Sequence, residues 1–293
     1  MPTPAHEVDE STPVDPFEMV SNETRLEIVR TLYEHLRSNG WESELSYSTL
    51  RERVGIRDKG NFNYHLGELR GTFVERGADG YRVTFAGFEI AKAIEVGAWA
   101  THEQRGPVEV GTAPLADGDD PLTAVYDDSR VQVSDDEGRL LFQHALRPSG
   151  VADREMEAIV DTMATVWLAD VELMIGGVCA YCHGPTDRSV ERTRKRPWTH
   201  SLVVACPECG PVAHVPVGLA IVDHPAVVSF HWDHGIDLRD RRFWELEFLD
   251  DDAVAVLETD PVRLRIDVSL EGDRLAVTID ENARVVAIER NVA

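Results

Sequence analysis

RDKGNFNYHLGELRGTFVERGADGYRVT, residues 57–84, is the stretch on which the fold turns. Phe62, Leu66 and Leu69 recur at i, i+4 and i+7, the apolar stripe of a helix over Lys59–Arg70 that Asp58 is placed to cap. At about 100° per residue, Arg57, Gly60, Asn61, Tyr64 and Glu68 fall on the opposite side, with Asn63 and His65 at the flanks. A helix that serves only packing usually shows Glu and Lys to solvent. This one offers Asn, Tyr and Arg, and Gly60 and Gly67 keep its profile low, as close approach to a groove requires. Asn pairs with adenine edges, and Arg reads guanine or clamps phosphate. The remainder, TFVERGADGYRVTF at 72–85, reads as a hairpin: Asp79-Gly80 signals a tight turn, and Val74, Tyr81, Val83 and Phe85 are strand residues. Arg76 and Arg82 flank its tip. The expectation is that Asn61, Asn63 and Tyr64 meet base edges while Arg57, Lys59, Arg76 and Arg82 hold phosphate or minor groove.

Upstream, SNETRLEIVRTLYEHLRSNG at 21–40 repeats Leu26, Val29, Tyr33 and Leu36 at helical spacing, with Ser21 or Asn22 as cap and Gly40 as stop. SYSTLRERVGI at 46–56 follows as a short helix, capped by Ser46 or Ser48 and ended by Gly55. Two short helices joined through a Gly-containing turn form a helix-turn-helix pattern. The Arg-flanked hairpin would make it a winged helix-turn-helix. NETRLEIVRTL, LRERVGI and FNYHLGELRGTFVERGADGYRVTFAG together resemble the ArsR-type winged helix-turn-helix transcriptional regulators of halophilic archaea over roughly residues 17–100. The resemblance implies double-stranded DNA as partner and a homodimer paired through the next helix, Gly87 to Ala100, with Phe88, Ala91, Ile94 and Trp99 as apolar contacts. The chain departs from the metal-sensing members of that family, because residues 17–100 contain no cysteine.

Charge bears on the same reading. The chain holds 53 Asp and Glu against 29 Lys and Arg, a formal net charge of −24, which is the acidic coat of proteins that stay soluble in concentrated salt. Residues 17–100 account for only −2 of it and residues 101–293 for −18. Within Leu50–Arg82 the basic residues outnumber the acidic ones, so the segment expected to meet DNA is spared. The amino terminus has neither a basic start nor an apolar run, so no secretory signal is read there. No apolar run approaches the roughly 18 residues of a membrane span. The expectation is a cytoplasmic protein that does not engage membranes.

THEQRGPVEVGTAPLADGDDPL at 101–122 has the composition of a linker. LTAVYDD, RVQVSDD and RLLFQHAL then read as short strands. The resemblance implies two ribbon-like modules in tandem, the first with its own cysteine pairs; here that first module has none. From Asp153 to Ile175, Met156, Ile159, Met163, Trp167 and Met174 recur at helical spacing, the pattern of a long connecting helix.

CAYC at 179–182 and CPECG at 206–210 carry the strongest chemical signal. Two C-x2-C knuckles offer four thiolates, Cys179, Cys182, Cys206 and Cys209, which Zn²⁺ takes tetrahedrally; a closed all-cysteine set is structural, since no position remains for water. The spacing between the knuckles needs a long hairpin. CAYCH also matches a c-type haem motif, against which stand the second cysteine pair and the missing export signal. A redox switch at the same thiols remains open. Between the knuckles, RSVERTRKRPW gathers Arg188, Arg192, Arg194, Lys195 and Arg196, which could meet phosphate or an acidic partner or be a solvated hairpin.

HPAVVSFHWDHG at 224–235 reads as a short helix, in which His224, His231, Asp233 and His234 suit helix-surface and dimer-contact roles. Val262, Leu264, Ile266, Val268 and Leu270 alternate with Arg263, Arg265 and Asp267 as one strand of an antiparallel meander with one wet face. No catalytic constellation stands out anywhere, so an enzyme is not expected. The fold class is α+β: a disordered acidic tail (1–16), a winged helix-turn-helix (17–105), a linker and metal-free ribbon-like module (106–150), a connecting helix and zinc ribbon (151–216) and a C-terminal αβ module (217–293). The function expected is a dimeric, sequence-specific transcriptional regulator with one structural Zn²⁺. The alternatives are a zinc-dependent protein-interaction adaptor and a thiol-based redox-responsive regulator, and an effector or protein partner is left open.

Overall fold

Three side chains start the amino-terminal helices. Asn22 accepts from the Arg25 amide at 3.2 Å, Ser46 from that of Thr49 at 3.2 Å and Asp58 from that of Asn61 at 2.7 Å, each satisfying a donor that the first helical turn would otherwise leave without a partner. The computed structural model describes residues 16–97, 103–112, 121–193 and 198–291; the expected acidic tail therefore lies almost entirely outside the described residues. The chain divides into two units, residues 1–100 and 101–293, with mixed α and β structure and several antiparallel sheets.

In the first unit, α1 (Pro16–Val20), α2 (Glu23–Asn39), α3 (Tyr47–Val54) and α4 (Lys59–Leu69) precede an antiparallel hairpin, β1 (Val74–Arg76) and β2 (Tyr81–Val83), and then α5 (Phe85–Glu95). Helix α2 ends at Gly40 and α3 at Gly55, both at positive φ. Phe62, Leu66 and Leu69 of α4 are buried against Ile28, Leu32, Leu50 and Val83, and burial of each such side chain stabilises by about 1.5–3 kcal/mol. Helix α5 begins two residues before the expected Gly87, because the Thr84 hydroxyl caps it through the Gly87 amide at 3.1 Å. Trp99 lies outside the described residues.

The hairpin differs from its sequence reading at the tip. Asp79-Gly80 does not form a two-residue turn; the loop is Gly77–Gly80, closed by the Gly77 amide donating to the Gly80 carbonyl at 3.0 Å. Gly80 is set by a long-range contact. Leu45 pairs with Tyr81 through two backbone hydrogen bonds of 2.9 Å, and a Cβ on Gly80 would sit 2.1 Å from the Leu45 carbonyl oxygen. Gly80→Ala is therefore expected to cost about 1–3 kcal/mol by forced displacement and to open the Leu45–Tyr81 pair. Hydrogen exchange of the Tyr81 amide reads it; unchanged protection would show that the backbone absorbs the methyl.

Among the described residues, the second unit is built from three antiparallel sheets, two α-helices and several short 3-10 helices. β3 (Arg105–Glu109), β4 (Thr123–Asp127), β5 (Arg130–Ser134) and β6 (Leu140–Ala145) form a four-stranded meander. α6 (Met156–Ile175) follows, then β7 (Asp187–Arg192), β8 (His200–Cys206) and β9 (Gly210–Pro216) in a three-stranded sheet. α7 (Pro225–Asp233) leads to a second meander of β10 (Val254–Thr259), β11 (Val262–Leu270), β12 (Asp273–Ile279) and β13 (Val285–Asn291). Strand β3 falls in the segment whose composition suggested linker. Its place at the sheet edge explains this, since an edge strand tolerates Pro107 and a register shift between Arg105 and Val108.

One hydrophobic core runs from Val110 to Ala283 and takes side chains from all three sheets and α6. It supports the cysteine-free sheet: Tyr126, Val131 and Val133 are fully buried in it, with Ile159 and Met163 of α6. Trp167 stacks on Phe243 at 3.7 Å. Arg242 donates to Asp161 of α6 and to the Val110 carbonyl, to which the Trp244 indole also donates. Helix α7 is fixed in the same way. His231 is buried, donating Nδ1–H to the Val227 carbonyl at 2.8 Å, with Nε2 3.5 Å from Glu247; His234 Nε2 is 3.3 Å from Asp273. His231 therefore packs the interior instead of lying on a helix surface.

Candidate metal centre and the exposed face of α4

The two knuckles are tight turns at the ends of regular elements. After α6, the Cys179 amide donates to the Gly184 carbonyl at 2.8 Å and the His183 amide to the Cys179 carbonyl at 2.9 Å. His183 takes a positive φ of 61° there. Cys206 ends β8 and pairs with Gly210, whose positive φ turns the chain into β9. The spacing between the knuckles is taken up by the β7–β8 hairpin; its tip, with Arg194, Lys195 and Arg196, lies outside the described residues.

These turns bring the sulfurs of Cys179, Cys182, Cys206 and Cys209 within 4.8 Å of one another, with Cys179 and Cys206 buried and Cys182 and Cys209 exposed. A tetrahedral ion with metal–sulfur bonds of about 2.3 Å places sulfurs about 3.8 Å apart, so the group could hold a metal ion. The thiols are also unlike one another. The Cys182 backbone amide, helped by that of Tyr181, holds the Cys179 thiol down at about 7 against its burial. Cys209 is pushed up to about 12, first by its contact with the Cys182 sulfur and then by desolvation. Four sulfurs this close oppose one another's ionisation, and a divalent cation removes that penalty.

No other such group of His, Cys, Asp and Glu occurs among the described residues. Of His183, His200 and His214, the histidines that could replace a cysteine as ligand, His214 Nε2 lies 2.9 Å from the Ser201 hydroxyl and His200 Nδ1 3.0 Å from that of Thr199, while His183 is exposed in the first knuckle.

Arg57, just before α4, and Lys59, Gly60, Asn61, Asn63 and Tyr64 on it are all exposed, Tyr64 by 61%. His65 is half-buried with Nδ1 enclosed and its ring edge-on to Tyr64 at 5.2 Å, so that flank presents less than its position suggested. The hairpin arginines are not equivalent. Arg76 is exposed, whereas Arg82 donates to Glu75 at 2.6 Å and to Glu42 at 2.8 Å, and the hydrogen bond to Glu75 raises its guanidinium further above its ordinary value. Glu42 could not be matched to Arg82 from the sequence, because the pair is closed by the fold.

No helix among the described residues is long and apolar enough to cross a membrane. No curated protein matches the chain. A family model described as Domain of unknown function (DUF7347) matches residues 13–94, and a second, described as Domain of unknown function (DUF7351), matches residues 116–285. The second match takes in the core of the larger unit, both cysteine knuckles and more than half of the chain, which belongs to the DUF7351 family.

Proposed function

We propose that this chain is a homodimeric, sequence-specific DNA-binding transcriptional regulator of winged helix-turn-helix type, with one structural Zn²⁺ on Cys179, Cys182, Cys206 and Cys209. The observation that carries the reading is the outward face of α4. In a chain with 53 acidic residues, Lys59–Leu69 presents Asn61, Asn63 and Tyr64 to solvent with Glu68 as its single carboxylate, and Glu68 lies 3.7 Å from Arg25. The resemblance to ArsR-type regulators supports the same assignment. Affinity drawn from counterion release falls steeply as salt rises, so a reader working in concentrated salt depends on base edges and on two copies binding together. Trp41 and Phe85, 51% and 70% exposed, flank Phe88 of α5 with ring centroids at 4.8 and 6.3 Å. That aromatic surface is suited to pairing two subunits.

Footprinting with the purified full chain at high salt tests the reading. Two protected half-sites about 34 Å apart are the expected result, and protection no better than on random DNA would defeat it. In that last case, with metal retained, the interaction-adaptor reading takes over. The two hairpin arginines separate further. Arg76→Ala should lower the salt slope of binding by about 1, while Arg82→Ala, whose guanidinium is already held by two carboxylates, should change it less; equal losses would show that Glu42 and Glu75 release Arg82 to phosphate.

The exposure of Cys182 and Cys209 favours a second reading, a thiol-responsive regulator, because oxidants reach these sulfurs and zinc thiolates lose metal on oxidation. DNA binding that is lost on mild oxidation and restored by thiol and zinc supports it; binding indifferent to oxidation, with the metal released, removes it.

A further inference from the structure

Beside the cysteine cluster, the 101–293 unit holds a cavity of about 230 Å³ walled by β6, α6, the first knuckle, Trp198 and β9. Phe142, Trp167, Trp198 and Tyr181 line it. Phe142 and Trp198 are nearly parallel, 14° apart with centroids at 6.3 Å, and Trp167 stands edge-on to Phe142 at 6.1 Å. These three rings are buried in the core and fixed there, while Tyr181 is 60% exposed and stands at the rim. The Trp198 indole N–H is engaged by the Ser201 hydroxyl at 2.9 Å, which orients that ring.

The charge of the lining is one-sided. Among the described residues it contains a single carboxylate, Asp170, and neither lysine nor arginine. His144 Nε2 is 3.2 Å from Asp170 Oδ2, and the Asp170 side chain stays partly exposed at the mouth of the cavity. A small cavity with apolar walls and a few converging polar groups is the usual form of a ligand site. Aromatic faces attract cations through the ring quadrupole, more strongly when water is excluded. An anion here would meet Asp170 and the negative faces of the rings, whereas a cation is attracted by both.

We propose that this cavity binds a small organic cation, a primary or quaternary amine with an apolar or aromatic body of roughly ten non-hydrogen atoms, whose charge meets Asp170 and whose body lies against Phe142, Trp167 and Trp198. The site is built wholly within the 101–293 unit. Its test uses no DNA and so is decided separately from the regulator reading.

Calorimetry on the full-length, metal-loaded protein would compare benzylammonium, benzyl alcohol and benzoate, which share size and ring but differ in charge. Saturable binding of benzylammonium, at least about tenfold tighter than the alcohol and with no binding of benzoate, is the expected result. Asp170→Asn should keep the cavity's shape and abolish the preference for the cation. The proposal is overturned by equal or tighter binding of the alcohol or benzoate, by no saturation with benzylammonium up to about 10 mM, or by an undiminished cation preference in folded Asp170→Asn. If that variant does not fold, the three probes on the wild-type protein decide it.

Discussion

Cys206→Ser is expected to reduce bound metal from one equivalent to below about a tenth of one under mild chelation and to loosen the whole 101–293 unit, because in small zinc modules metal binding supplies about 10–16 kcal/mol of folding free energy. From sequence alone the damage would be confined to residues 176–216, since the Arg-, Pro- and Gly-rich segment between the knuckles has little core of its own. The packing predicts a wider effect. Cys206 is 3% exposed at the end of β8, and Leu202 and Val204 of that strand belong to the core that also takes in Met163 of α6 and Val277 of β12. A Ser hydroxyl at this buried position is a weaker ligand and a buried polar group. The amino-terminal unit has a core of its own, from Ile28 to Ala91, and should keep its protection. Metal analysis with hydrogen exchange over 200–221, 262–279 and 28–36 checks all three statements. Full metal occupancy in the variant would defeat the four-thiolate assignment, and loss of protection at 28–36 would defeat the separation of the cores.

What the sequence made legible is local. The starts of α2, α3 and α4 were readable because a cap and its amide lie three residues apart, and the observed partners, Asn22, Ser46 and Asp58, are the residues whose side chains favour that position. The cysteine cluster was readable for a related reason: each C-x2-C fixes half of a ligand set within one turn, and only the closure of the halves depends on the fold. Gly80 was assigned to a tight turn because Asp-Gly is a strong local signal, whereas its actual constraint is the approach of Leu45, distant in the chain. Strand β3 was hidden by Gly106 and Pro107, whose composition argues against a strand until the edge position is known. The division of residues 106–293 into three modules followed from the resemblance, a helical repeat, the cysteine knuckles and strand alternation; the single core arises from contacts among sheets that none of these report. The aromatic cavity draws on five segments and left no mark in any one of them.

Asn61→Ala and Tyr64→Ala are each expected to weaken specific DNA binding by about 1–3 kcal/mol and binding to random DNA far less. Both side chains are exposed on α4, on the side away from the buried Phe62, Leu66 and Leu69, so their removal leaves the core of the unit intact. The Asn61 backbone amide remains bonded to Asp58 in the variant, and the helix start is unaffected. Stability should therefore stay within about 0.5 kcal/mol of the wild type, as for surface substitutions remote from special features. An effect on specific sequence that leaves stability and random binding unchanged is difficult to produce except through base contact. Phosphate contacts, by contrast, weaken all sequences alike and change the salt slope. The measurement is a salt titration of both variants and the wild type on the footprinted site and on random duplex. Equal losses on the two DNAs would move Asn61 and Tyr64 from the base edges to the backbone, and no loss on either would remove α4 as the reading element.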